Sequence, residues 1–414
     1  MNKNFEIKDN TYDRLIIILI LLLALGGIGG AFQPVRLFII VLIPFCITTS
    51  LKNRKLFKKY AYERHFFIFW LIYGFISLLW VYFIDEGVKE LIYLFINFFG
   101  FYSIILLASL ANKPQESVVK AWILLFIITI PIALYELWFD VHLDISAHGS
   151  DFYSNLGDGI VIQRFYASVT FGNLNGYNTM LTYFTPFLLG ALIKNDTTVK
   201  KWNQLFILIL LFLLIYIAIM NSSRGAIGAI IIMFVVFMLY TIRNVKSFII
   251  FSIIFLSIGT FLYIEFREVF DFFLLRLELR GLGDKARAEL ISNGLDALVK
   301  SNFFGVGSAN FMPTMSKVYG MENSSPHNFL LEVTVQYGLV IGILLIGMFI
   351  RIIHRLRNIN LRRNKFIVVA ALLSYPSASL INSGYLLNTS TWLYIASIYV
   401  IGDACFSNKI VNAN

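Results

Sequence analysis

The chain has 414 residues, of which 58% are hydrophobic, 16% aromatic and only 14% charged. Soluble domains carry about a quarter charged residues, so that class is excluded and an integral membrane protein is expected. The net charge of +10 lies in short loops between apolar runs, not in a nucleic-acid-binding patch, and Cys46 and Cys405 sit in or at the end of such runs, which leaves no disulfide framework or Cys/His zinc spacing.

A helix needs about 17–25 apolar residues to cross a ~30 Å hydrocarbon core. Runs approaching or reaching that length predict about twelve spans, at approximately 15–32, 36–50, 66–84, 88–110, 119–139, 173–193, 204–220, 224–242, 247–265, 327–350, 366–384 and 387–405. The expected fold is all-α and polytopic, one membrane domain over 1–414. The first run follows Lys3, Lys8 and Arg14 and ends in Gly-Gly-Ile-Gly-Gly-Ala, which also fits a signal peptide; apolar character resuming through Phe32 favours a span. Pro131, Pro186 and Pro376 fall inside spans and read as kinks supported by neighbouring helices.

Loops alternate in basic content, and the excess of Lys and Arg marks the cytoplasmic side. Lys52 to Arg64, Lys113 and Lys120, Lys194 to Lys201, Arg243 and Lys246, Arg351 to Lys365 and Lys409 then face inwards, with both termini cytoplasmic. Two loops of substance remain outside. The smaller, 140–172, is acidic, with Asp140, Asp144, Asp151 and Asp158; the larger, 266–326, is long enough to fold over the mouth of the bundle.

In the larger loop Phe266, Val269, Phe270, Phe273, Leu274 and Leu277 recur at helical spacing, with charged residues opposite, which predicts an amphipathic interfacial helix ending at Gly281 and Gly283. Asp284 is the expected cap of the next helix. There Arg287, Leu290, Ile291, Gly294, Leu295 and Leu298 share one face, so Arg287 starts a helix on its apolar side. A cation in a first turn opposes the helix dipole, a placement that makes sense if a phosphate is held there, while a snorkelling interfacial arginine is the plainer reading.

Charges at membrane depth cost at least about 2.5–3.5 kcal/mol, so they are the first functional candidates. Arg224, in NSSRGAIGA, opens a helix on the outer side. His327, between Pro326 and Asn328, begins another; a helix start and nearby arginines disfavour its imidazolium, leaving a base able to accept a proton, unless it is only a polar cap. His65 and His354 lie among cytoplasmic basic residues, and His142 and His148 lack metal-site spacing. Glu332 and the amides of FGNLNGYNTM, Asn173, Asn175 and Asn178, suit glycan hydroxyls or helix capping equally. Asp85-Glu86 raises a metal site as a weaker alternative. No P-loop, dinucleotide fingerprint, HExxH or Asp-x-Asp nucleotide-sugar site is present, so no cofactor is expected and the substrate must bring its own energy.

The order FGNLNGYNTML, NSSRGAIG, Arg287 eighteen residues before Gly305 in GVGSANF, and PHNFLLEVTVQYGLVIG resembles the O-antigen ligase and polysaccharide polymerase family over roughly 165–350. Asn173-Leu174-Asn175 stands where the family often has Asn-Pro-Asn, and Gln336 where an acid is common. The resemblance implies a fold similar to lipid-dependent membrane glycosyltransferases and a metal-independent transfer from an undecaprenyl-diphosphate-linked oligosaccharide, on the outer face of the bacterial cytoplasmic membrane. It implies catalytic roles for His327, Arg224 and Arg287 and substrate contacts for Asn328, Asn173, Asn175 and Glu332. Membrane lipid, a flippase and a chain-length regulator would be its partners. A polymerase of repeat units is favoured over a ligase transferring finished glycan to a lipid A core, and a lipid-linked glycan flippase is the reading from another class, disfavoured by the absence of an internal repeat.

Overall fold

A computed structural model describes residues 11–52, 54–145, 153–155, 161–163, 166–193, 201–242, 285–322, 325–404 and 406, with single positions between 249 and 271. The amphipathic helix expected at 266–279, its Gly281 and Gly283 stop, the Asp284 cap and the 247–265 span lie outside the described residues apart from such positions. So do His148, Asp151, Asp158 and Cys405.

The described chain is helical, with one small hairpin in the 140–172 loop where Tyr153–Asn155 pairs antiparallel with Val161–Gln163. Among the described residues, six helices are long and apolar enough to cross a membrane: Pro34–Lys52, Ile84–Leu110, Pro114–Phe139, Asn203–Met220, Arg224–Thr241 and Phe329–Asn358. The protein is a multi-pass membrane protein. The remaining expected spans coincide with helices that are shorter or more polar, Thr11–Leu21, Ala61–Ser77, Leu174–Leu192, Arg362–Ala378 and Thr389–Ile401.

Local chemistry sets several boundaries. Asn173, Ser223, Asn328 and Asn388 each precede a helix and accept a backbone N–H of its first turn, at 2.8, 3.4, 3.0 and 3.2 Å. These satisfy donors that a helix start leaves orphaned. Gly26 stops the first helix early: a Cβ there would lie 2.2 Å from the Thr170 carbonyl oxygen, and Gly27 N–H donates to that oxygen at 2.5 Å. The double glycine thus serves a close backbone contact with the segment that leads into the Leu174–Leu192 helix.

Thr389–Ile401 is buried at every position, as befits a helix that is apolar all round and sits at the centre of a bundle. Its Trp392 touches the rings of Phe98, Phe67, Trp70 and Phe329, at 5.0, 5.8, 5.9 and 6.0 Å between centroids. Around it, Ile84–Leu110 packs along one side, and Arg362–Ala378 packs against Arg224–Thr241 and Leu174–Leu192. At the cytoplasmic end expected from the charge pattern, Glu63 is fully buried and is held by Arg351 at 3.0 Å and Arg355 at 3.5 Å. Asp403 pairs there with Lys59 at 2.5 Å.

Two expectations need correction. The long helix beginning after His327 is not continuous: Gly338, at φ 82° and ψ 169°, interrupts it. The interruption exposes carbonyls that the Gly-x-Gly turn uses, with Val306 N–H donating to Val335 O and Gly307 N–H to Gln336 O, both at 2.8 Å. Residues 379–388, expected to be mostly helical within two spans, form instead a non-helical break between Ala378 and Thr389. The helix that follows has 13 residues and rises about 20 Å, less than the hydrocarbon core, so the break is set into the bundle.

Candidate active site

A non-helical segment at membrane depth is tolerated only where protein or a wet cavity surrounds it. Residues 379–388 meet that condition through side chains sent from other helices. Arg287 Nη1 donates to Leu380 O at 3.2 Å, Asn97 Nδ2 to Leu386 O at 2.9 Å, and Arg36 Nη2 to Leu387 O at 2.9 Å. Trp392 Nε1 reaches the same Leu386 carbonyl at 3.2 Å. Glu332 Oε2 accepts from Tyr385 N–H at 3.2 Å, while Tyr385 Oη donates back to Ala378 O at 2.7 Å and closes the turn. Asn97 stands midway along the 27-residue Ile84–Leu110 helix, which sets the far end of the break deep in the bundle.

Of the sequence-predicted residues, Arg287 and Glu332 touch this segment, and the helices that begin at Arg224 and after His327 pack against it. The helix that Arg224 opens abuts it: Ser377 Oγ donates to Gly225 O at 3.0 Å, and a Cβ on Gly225 would fall 2.9 Å from the Ile381 side chain. The helix that follows His327 meets it through Glu332 and through Phe329, whose ring lies 5.9 Å from Tyr385 and 6.1 Å from Tyr375. Arg224, Arg287 and His327 are all half-buried. His327 has φ 39°, a left-handed conformation that is strained for a residue with a Cβ and is typical of positions whose geometry is set by their surroundings.

The amides divide by role. Asn328 Oδ1 caps its helix by accepting from Leu331 N–H, and Asn173 Oδ1 caps another through Gly176 N–H. Asn175 is half-buried on the first turn of that helix. Asn178 is fully buried and accepts at 2.9 Å from Asn221, which in turn brackets Ala167 with two backbone hydrogen bonds. This clamp ties the FGNLNGYNTM and NSSR motifs together just before Arg224. Of the Asp85-Glu86 pair, Glu86 is exposed and pairs with Lys89 at 3.3 Å.

The Arg287 helix, Lys285–Lys300, is seated by a separate small core in which Leu290, Ala297 and Leu298 meet Phe311, Met315, Leu331 and Val335. Gly294 allows the close approach, since a Cβ there would already touch Leu331 and Val335 at 3.4 Å. The buried stripe is narrower than the helical spacing predicts: Ile291 and Leu295 are exposed. Asp296, on the solvent side, is held below the usual carboxylate range by hydrogen bonds from Lys300 and Tyr319.

Glu90 is a participant that sequence reading missed. It sits in the Ile84–Leu110 helix, buried, and accepts from Tyr337 Oη at 2.5 Å, Ala309 N–H at 2.9 Å and Ser308 Oγ at 3.2 Å. It anchors the GVGSAN turn to the first half of the chain. The available signal was an acid within an apolar run.

The arrangement defines a polytopic membrane protein with a polar, arginine-bearing site built around a broken helix. Residues 209–347 match a family model described as O-antigen ligase, the segment that carries Arg224, Arg287 and His327. The chain is also 25% identical over 286 residues to the teichuronic acid biosynthesis protein TuaE of Bacillus subtilis (strain 168), covering 67% of this chain and 57% of that one. It therefore spans little more than half the length of the curated relative it matches. The resemblance read in the motifs thus falls on the segment that matches the O-antigen ligase family model.

Proposed function

We propose that this protein is a membrane glycosyltransferase that polymerises oligosaccharide repeat units carried on undecaprenyl diphosphate. The observation that carries the reading is the convergence of three elements, those of Arg224, Arg287 and His327, on the 377–385 segment. A hydroxyl of the acceptor sugar gives its proton to His327 as its oxygen attacks the anomeric carbon of the donor. The bond from that carbon to the diphosphate oxygen breaks, and the electron pair leaves with undecaprenyl diphosphate. Arg224 and Arg287 stabilise the charge developing on the diphosphate, a task suited to the planar guanidinium fork and one that needs no divalent metal. Asn328 and Asn173 offer amide nitrogens to glycan hydroxyls beyond their capping oxygens, and Asn175 offers its side-chain amide. The site faces the outer side of the cytoplasmic membrane, as the charge asymmetry of the loops indicates.

The test is chain growth by the purified protein on a synthetic undecaprenyl-diphosphate repeat unit. His327→Ala, Arg224→Ala and Arg287→Ala should each lower the rate at least a hundredfold, within the range general-base and charge-stabilising groups contribute. Full chain growth by all three variants would overturn the assignment. The family description favours a second reading, a ligase. Transfer of a finished chain to a lipid A core acceptor without self-polymerisation would establish it.

A further inference from the structure

Arg36 is a buried cation at the start of an apolar helix. It is 6% exposed, three residues into the Pro34–Lys52 helix, and its guanidinium lies over the Tyr93 ring at 4.1 Å. Its hydrogen-bond partners are all neutral: Leu387 O at 2.9 Å, Thr389 Oγ1 at 3.4 Å and Gly30 O at 3.5 Å. Among the described residues no carboxylate reaches it, whereas buried Glu63 and Asp403 each have basic partners. Carbonyl dipoles solvate a guanidinium in part but leave its charge uncompensated, and an uncompensated buried charge is costly.

Beside Arg36 lies a cavity of about 180 Å³, bordered by Gln33, Phe171, Gly384, Asn388 and Ser390. Amide and hydroxyl donors, an aromatic ring and a glycine that leaves room are the lining a sugar ring calls for. The same break that Arg287 touches at Leu380 supplies this cavity's wall at Gly384 and Asn388, so cavity and candidate active site share one segment.

We infer that the cavity beside Arg36 is a subsite for one anionic group of the glycan substrate, a sugar carboxylate or a phosphate. The anion supplies the charge that the protein does not. The inference rests on the glycosyltransferase reading for the identity of its ligand, and its test does not use turnover.

The full chain in lipid nanodiscs is titrated with glucuronate, glucose and inorganic pyrophosphate, and binding is followed by saturation-transfer NMR. Glucuronate or pyrophosphate should bind at least tenfold more tightly than glucose; preference for the first assigns the site to a sugar carboxylate, and a preference for the second that Arg36→Gln removes and Arg224→Ala keeps assigns it to a phosphate. Arg36→Gln should remove the preference. Because Arg36 also holds Leu387, Gln33→Glu is the companion variant: it sets a negative charge on the half-buried rim one helical turn away and should weaken the anion at least tenfold with the fold kept. His327→Ala should bind as the wild type does. Glucose binding as tightly as both anions, no binding of either anion, or an unchanged preference in Gln33→Glu would overturn the subsite. Loss of chain growth with anion binding intact, or the reverse, shows which of the two readings has failed.

Discussion

Glu332 offers the sharpest test of how the broken helix is held. Its carboxylate is 4% exposed and accepts from Tyr385 N–H at 3.2 Å. In Glu332→Ala that N–H stays buried without its acceptor, a loss of about 1–3 kcal/mol, and the emptied volume adds to it. Glu332→Gln keeps an oxygen of the same reach and should cost under about 1 kcal/mol, since only the charge on the acceptor is lost. Apparent Tm in detergent for both variants measures the difference, and chain growth measured alongside reports whether the segment still carries the Arg287 and His327 helices. A lowered Tm in Ala with near wild-type behaviour in Gln is expected. Equal loss of chain growth in both variants, with Tm unchanged in Gln, would show that the carboxylate serves the substrate and not the backbone.

Gly338→Ala should be strongly destabilising, by about 2–4 kcal/mol, because φ is 82° and the new Cβ would meet the Phe303 and Phe304 carbonyl oxygens at 2.6 Å; thermal unfolding checks it. Glu63→Ala removes one of the two carboxylates that hold Arg355, leaving Asp403 at 3.7 Å, and also frees Arg351; it should cost about 1–3 kcal/mol, read as a lower apparent Tm. Hydrogen bonds from Lys300 and Tyr319 hold the Asp296 carboxyl below its usual range. A depressed acid stabilises fully above its unfolded pKa of about 3.9, and that stabilisation fades as pH falls through the folded value; Asp296→Asn should flatten this acid dependence of Tm. Val318→Cys, at a position 51% exposed, should react with an impermeant maleimide from outside intact cells, and labelling from the cytoplasmic side alone would refute the orientation.

Membrane character, the approximate places of most helices and the motif carriers Arg224, Arg287 and His327 were legible because they rest on local properties. Apolar run length, loop charge and short spacings do not depend on what packs against them. The partnership of Asn178 with Asn221 was not legible, nor was Glu90 under the Gly-x-Gly turn, since those contacts join residues 43 and 219 positions apart. Arg36 was passed over for the same reason. As one cation near the start of an apolar run it looks like a snorkelling anchor, and only its burial against Leu387 distinguishes it.

The sequence by itself determined that this chain lies in a membrane, roughly where most of its described helices lie, and which family its central segment resembles. Hydropathy and capping are properties of neighbouring residues, and they survive in any packing arrangement. Only the tertiary structure decided that 379–388 is a break and not a helix, because that choice depends on distant donors and acceptors. Arg36, Asn97, Arg287 and Glu332 supply hydrogen bonds to backbone groups that helix would otherwise have satisfied. With those partners in place the unpaired backbone is affordable at membrane depth, and the segment becomes the floor on which the three candidate catalytic elements meet.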